Sequence, residues 1–174
     1  MISAKMEKAL NDQINAEAFS AYLYMSMSAY FKSCNLPGFA HWMDIQAQEE
    51  YIHSRKFYDY IIQRGGKVKL AKIDAPETEW ASPLAIFEAA LKHEQYITSR
   101  INSLVDLSIK EKDHAAGIFL HWFVTEQVEE EENAGGIIEQ LKLIADSKSG
   151  IFMLDRELGQ RLPPAAGAQA AAGA

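Results

Sequence analysis

Cysteine is nearly absent: Cys34 is the single one in 174 residues. A lone thiol excludes an intrachain disulfide framework and any four-cysteine zinc or iron–sulfur site. Proline and glycine are scarce, five and ten residues, and they cluster in a few places. No run of about 18 apolar residues exists, so the sequence offers no membrane-spanning helix. The first eight residues, MISAKMEK, lack an apolar core of signal-peptide length, so a cytoplasmic location is expected. Basic residues are outnumbered 17 to 24, giving a net charge of −7, which argues against a nucleic-acid binder held by phosphate contacts. What is there is a chain 48% apolar, enough for one sizeable core and too much for general disorder.

The breakers divide the chain at Leu36-Pro37-Gly38, Gly65-Gly66, Pro76 to Pro83, Gly150 and Pro163-Pro164. Between them lie four breaker-poor segments, 5–33, 38–64, 83–111 and 114–145, each about 45 Å long as a helix. Ser82 before Pro83 and Asp113 before the fourth segment are N-cap residues, and Gly65 suits a left-handed C-cap. Residues 147–160 form a short fifth helix. No segment alternates with period two for long, and the β-branched patch at 67–73 falls in the loop, so the fold class is all-α. The connection of about 17 residues before Pro83 is long enough to run the length of a bundle. One long crossover gives a ferritin-like four-helix bundle rather than simple up-down-up-down. The expected domain is 1–162, and 163–174, PPAAGAQAAAGA, is a low-complexity tail expected to be disordered.

Following the 3-4 spacing of a buried stripe exposes the unusual feature. The four stripes read Leu10, Ile14, Glu17, Ala21, Tyr24, Ser28, Phe31; then Phe39, Met43, Gln46, Glu50, His53, Phe57, Tyr60; then Leu84, Phe87, Leu91, Glu94, Thr98, Ile101, Val105; then Leu120, Phe123, Gln127, Glu130, Ala134, Ile137, Leu141, Ile144. Each carries a glutamate near its middle, and helix midpoints in a bundle share one level. A single glutamate on such a stripe ordinarily reaches solvent from the helix edge. Four at one level, with no lysine or arginine on the stripes beside them, need a positive partner or protons. Two divalent cations would balance four carboxylates, with His53 neutral. Oxygen-rich ligation with imidazole and no thiolate suits iron or manganese. Glu50 and His53, three residues apart, point from one helix face at one ion.

Glu17, Tyr24, Glu49-Glu50-x-x-His53, Glu94 and Glu126-Gln127-x-x-Glu130 resemble the iron sites of the bacterial non-haem ferritins, over about residues 3–160. The resemblance implies a cage of twenty-four subunits that oxidises Fe(II) with dioxygen or peroxide and stores a ferric mineral. It implies one iron at Glu17, Glu50 and His53, and a second at Glu94 and Glu130 with Glu50 bridging and Gln127 alongside. A third iron would lie near Glu49, Glu126, Glu129 and Glu130, and Tyr24 would serve as hydrogen-bond partner and electron donor. No haem is expected, because Tyr51 follows Glu50 where bacterioferritins place a methionine. Early in the fourth helix, where animal ferritins line a channel with acids, this chain has Gly117, Leu120 and His121. The alternative is a di-iron or di-manganese oxidase or peroxide-detoxifying enzyme without a storage role. Glu131 and Glu132 read as solvent or subunit contacts. Trp122, Met25 and Met27 read as packing, and His41, His93, His114 and His121 as surface or interface residues.

Overall fold

The computed structural model describes residues 2–145 and 147–164. Five helices make up the fold: α1 (Ala4–Ser33), α2 (Pro37–Gln63), α3 (Pro83–Lys110), α4 (His114–Ile144) and α5 (Lys148–Leu158). Most helix ends have a chemical cause. The side chains of Ser3, Ser82, Asp113 and Ser147 accept from the backbone N–H three residues on. Pro37 and Pro83 occupy the first turns of α2 and α3, where a missing N–H is harmless. Gly65 ends α2 with φ +73°, and Asn35 turns the chain after α1 with φ 57°. Residues 165–174, most of the expected tail, lie outside the described residues.

Two antiparallel hairpins, α1 with α2 and α3 with α4, meet through α1 and α3. The crossover, 64–82, lies along α1 from one end to the other. At one end Lys67 N–H donates to Glu7 Oε2 (3.0 Å) and Lys69 N–H to Asn11 Oδ1 (2.6 Å). At the other, Ser26 Oγ donates to the Glu77 carbonyl (2.7 Å) and the Tyr30 hydroxyl to the Trp80 carbonyl (2.8 Å). The β-branched patch of the crossover thus bonds to helix α1 side chains and forms no strand among the described residues. This path starts α3 beside the C-terminal end of α1, so α3 runs parallel to α2. Arg64 at the end of α2 then meets Asp113 at the start of α4 through two hydrogen bonds of 3.1 and 3.0 Å.

The core divides into two apolar clusters. One, built around Phe31, Phe39, Phe87 and Leu141, fills the end where α1 passes into α2. The other, built around Leu10, Phe57, Ile101 and Phe123, fills the opposite end. Between them lie Glu17, Glu50, Glu94 and Glu130, each within three residues of its helix midpoint. Helix α5 caps the first end, burying Leu154 and Leu158. Its Asp155 carboxylate accepts from the N–H groups of Gly38 (2.8 Å) and Phe39 (3.0 Å), the free donors of the first turn of α2.

The approach of α5 to α2 requires glycine. A Cβ on Gly38 would sit 1.6 Å from the Asp155 carbonyl oxygen. Gly38→Ala is expected to push α5 off its seat and cost about 1–3 kcal/mol, the scale of overpacking. Urea unfolding reads the loss, and limited proteolysis cutting faster after residue 147 locates it; an unchanged midpoint and cleavage pattern would contradict this packing.

Candidate metal centre

The four stripe glutamates are almost completely shielded: Glu17, Glu50 and Glu94 are 1% exposed and Glu130 is 4% exposed. Ligand atoms of Glu17, Glu50 and His53 lie within 4.8 Å of one another, as do those of His53, Glu126 and Glu130. The structure thus brings together Glu17, Glu50 and His53 as the sequence spacing implies. It draws Glu126 inward to His53 (3.8 Å from Nε2), whereas Glu129 is exposed.

The centre is knitted together by amides and one phenol. Gln46 Nε2 donates to Glu50 Oε1 (3.1 Å) and to Glu130 Oε2 (2.7 Å), so one amide spans carboxyls from two helices. Gln13 Nε2 donates to Glu17 Oε1 at 2.8 Å. Glu94 takes a hydrogen bond from the Tyr24 hydroxyl and another from Gln127 Nε2 (3.2 Å). Tyr24 is therefore joined to a carboxyl on the facing helix, and Glu94 stands outside both three-residue groups.

Two arginines absent from the stripes stand behind these amides. Arg100 Nε donates to Gln13 Oε1 (2.9 Å), and Arg161 Nη1 donates to Gln46 Oε1 (2.8 Å). A guanidinium has no acceptor, so each amide turns its oxygen to the arginine and its NH2 to the carboxyls. Arg161 also pairs with Glu49, setting a positive charge against that carboxylate at the edge of the acidic group. Sequence reading missed Gln13, Arg100 and Arg161. Gln13 and Gln46 did carry a signal, a glutamine four residues before a stripe glutamate on the same helix face. The arginines carried none.

Burial governs the electrostatics. It raises the Glu17 carboxyl from 4.5 to about 8, reinforced by the Glu50 charge and opposed by His53 and Gln13. Burial raises Glu50 and Glu130 well above the ordinary carboxylate range, with Glu94 adding repulsion to Glu50 and Glu50 adding it to Glu130. Glu94 is raised by burial against the lowering bonds from Tyr24 and Gln127. Burial also lifts the Tyr24 phenol well above 10, with Glu94 as the next cause. Glu17 Oε2 is buried without a hydrogen-bond partner. A carboxyl with one unpartnered oxygen, grouped within 4.8 Å of an imidazole and a second carboxyl, fits a hard divalent cation, and the donor set holds no sulfur.

Trp122 packs edge-on to His53 with centroids 5.3 Å apart, and Lys56 Nζ lies 2.9 Å from its ring centre. Met27 is buried and Met25 is exposed. His41 bonds the Arg161 carbonyl, and His114 and His121 are exposed. His93, expected at the surface or an interface, is half-buried. It lies 2.8 Å from Ser20 Oγ, and burial lowers its pKa to about 4. Leu120 is fully buried, so of the fourth-helix positions compared with a channel only His121 and Gly117 reach the surface; they share a depression with Asp113 and Ile118.

A model of the ferritin-like domain matches residues 7–144. The chain belongs to the ferritin family. A bacterial non-heme ferritin of Bacteroides fragilis is 48% identical over 161 residues, spanning 92% of this chain and all of the relative. One from Staphylococcus haemolyticus is 41% identical, covering 92% of this chain and 97% of its own length. Among solved structures, an open pore ferritin of Archaeoglobus fulgidus superimposes with a TM-score of 0.92 at 51% identity, covering 92% of this chain and 98% of the other. This chain thus has the ferritin fold, five helices with a short fifth one at the C-terminal end, and the family is one of iron storage. No helix among the described residues is long and apolar enough to cross a membrane.

The raised carboxyls give metal-free protein a defined pH response. An unfolded glutamate loses its proton near 4.5, whereas folded Glu17 keeps it to about 8. Between those values the folded state binds more protons, so this contribution is complete below about pH 4.5 and is lost as pH rises through 8. Glu50, Glu94 and Glu130 act in the same direction. His93 acts only below its ordinary 6.5, outside the upper part of that window. Metal-free protein is expected to melt several degrees lower at about pH 8.5 than at about pH 6.5, and Glu17→Gln to make that slope shallower by removing one of the four contributing carboxyls. Melting curves followed by circular dichroism check this; a wild-type midpoint flat or rising with pH would contradict it.

Proposed function

We propose that the chain is a ferroxidase and iron-storage subunit, oxidising Fe(II) at a two-iron centre and holding Fe(III) as mineral within a closed oligomer. The observation that carries the reading is the buried Glu17, Glu50 and His53 group with its orphaned carboxylate oxygen. In this reading one Fe(II) is held by Glu17, Glu50 and His53. The other is held by Glu94 and Glu130, with Glu50 bridging and Gln127 beside it. Two Fe(II) bring +4 to four carboxylates whose protons they displace, which removes the charge conflict that four ionised carboxylates alone would create. Each Fe(II) gives up one electron; the pair reduces one dioxygen, with two protons, to hydrogen peroxide. Carboxylate oxygens favour Fe(III) over Fe(II) and so favour the oxidation. Peroxide is the second oxidant the reading admits. Tyr24, bonded to Glu94, holds that carboxyl toward the centre and is placed to supply a further electron.

The outer carboxylates, Glu49, Glu126, Glu129 and Glu130, form a third iron position in this reading, weaker than the first two because Glu129 faces solvent and Arg161 is paired with Glu49. No haem is assigned to the subunit. The location proposed is the cytoplasm. The oligomer is a cage of twenty-four copies, supported by the family and by apolar side chains left outside the core. Ile118, Val128, Leu143, Phe152 and Met153 are all more than 60% exposed. Light scattering at neutral pH and moderate salt is expected to give one large particle, and monomer or dimer alone would contradict the cage.

Glu94→Ala and Glu130→Ala each remove one of the charges that two Fe(II) require and are expected to slow the first oxidation phase at least tenfold. Glu129→Ala is expected to leave that phase within twofold and to change the number of irons oxidised per dioxygen. Stopped-flow absorbance at two Fe(II) per subunit separates these outcomes. Equal slowing by Glu129→Ala and Glu94→Ala would overturn the assignment of these residues to separate positions.

A further inference from the structure

Arg161 lies beyond the end of α5, yet its side chain reaches the middle of α2. It pairs with Glu49, donates to Gln46 Oε1 at 2.8 Å, and stacks 4.4 Å from the ring centre of Trp42. Trp42, Gln46 and Glu49 follow at four and three residues, so they form one strip on the face of α2. The side chains of Arg161 and Glu49 are only 19% and 20% exposed, so the pair is largely withdrawn from solvent. The segment is anchored from two sides. Asp155 fastens α5 to the start of α2, and the Arg161 carbonyl bonds His41 at 2.9 Å. A guanidinium remains charged at any working pH.

We propose that Arg161 is a resident cation at the outer edge of the centre. Its guanidinium takes the place beside Glu49 that an outer metal ion would otherwise fill, and such an ion binds there only by displacing it. Three contacts oppose the displacement: the Glu49 pair, the Gln46 bond and the stack on Trp42. Arg161 is thus a positioning residue. It sets its charge against Glu49 and holds the Gln46 amide with its NH2 toward Glu50 and Glu130. Through it, the chain after α5 governs how many cations the centre accepts. The proposal rests on the reading of Glu17, Glu50 and His53 as an inner metal group, and the test separates the two.

The probe is Zn(II), which binds without oxidation, titrated calorimetrically into assembled metal-free protein. Wild type is expected to bind inner Zn(II) tightly and an outer Zn(II) weakly. Arg161→Met keeps the stem on Trp42 without the charge and is expected to bind the outer ion at least tenfold more tightly. Arg161→Lys keeps the charge without the two-armed contact, and a gain of about threefold is expected. Glu49→Gln added to Arg161→Met is expected to abolish the gain. A damaged fold loses affinity, so a gain confined to the outer ion marks competition by the guanidinium rather than structural support. Outer affinity in Arg161→Met equal to or below wild type overturns the proposal; if that variant does not assemble, absence of a gain in Arg161→Lys does so. Failure of wild type to bind inner Zn(II) would instead overturn the metal reading itself.

Discussion

Four carboxyl groups buried in one layer cannot all be charged unless something positive joins them. That constraint organises the molecule. It splits the core into two apolar clusters, one at each end of the bundle, with the acidic layer between them. It raises the proton affinity of every carboxyl in the layer. It also explains the amides and the phenol around the layer. Gln13, Gln46, Gln127 and Tyr24 all give hydrogen bonds to carboxyl oxygens, softening the repulsion without bringing a competing full charge inside.

The fold delivers the layer by registering helices rather than by shaping a loop. Each hairpin sets two glutamates side by side, and the Arg64–Asp113 pair and the Asp155 cap fix the hairpin ends against each other. The crossover, bonded along α1 from Glu7 to Tyr30, determines the direction of α3. A slip of α3 by one turn would move Glu94 about 5 Å out of the layer and part it from Tyr24. The full positive charges lie one shell out. Arg100 and Arg161 reach the centre through Gln13 and Gln46, so their effect is to orient donors.

The helices and the level of the four glutamates were legible because both follow from periodicity. A stripe predicts burial, and equal helix lengths predict a shared height. Caps at Ser82, Asp113 and Gly65 were legible for the same local reason. The long-range partners were not. Arg161 and Glu49 are 112 residues apart, and no repeat links a residue after α5 to a face of α2. The inward turn of Glu126 depends on His53 of another helix, and the four-glutamate run at 129–132 gave no local sign of which members turn inward. The half-burial of His93 likewise had no local sign, because it comes from the packing of α3 against Ser20 and Phe19 of α1.

The central claim is that the acidic layer is built for two divalent cations. Anomalous diffraction at the iron edge, from crystals of metal-free protein soaked anaerobically in Fe(II), tests it most directly. The account predicts two peaks per subunit inside the bundle, one among Glu17, Glu50 and His53 and one among Glu50, Glu94 and Glu130. An ordered bundle with iron only at surface carboxylates and none within the layer would contradict it.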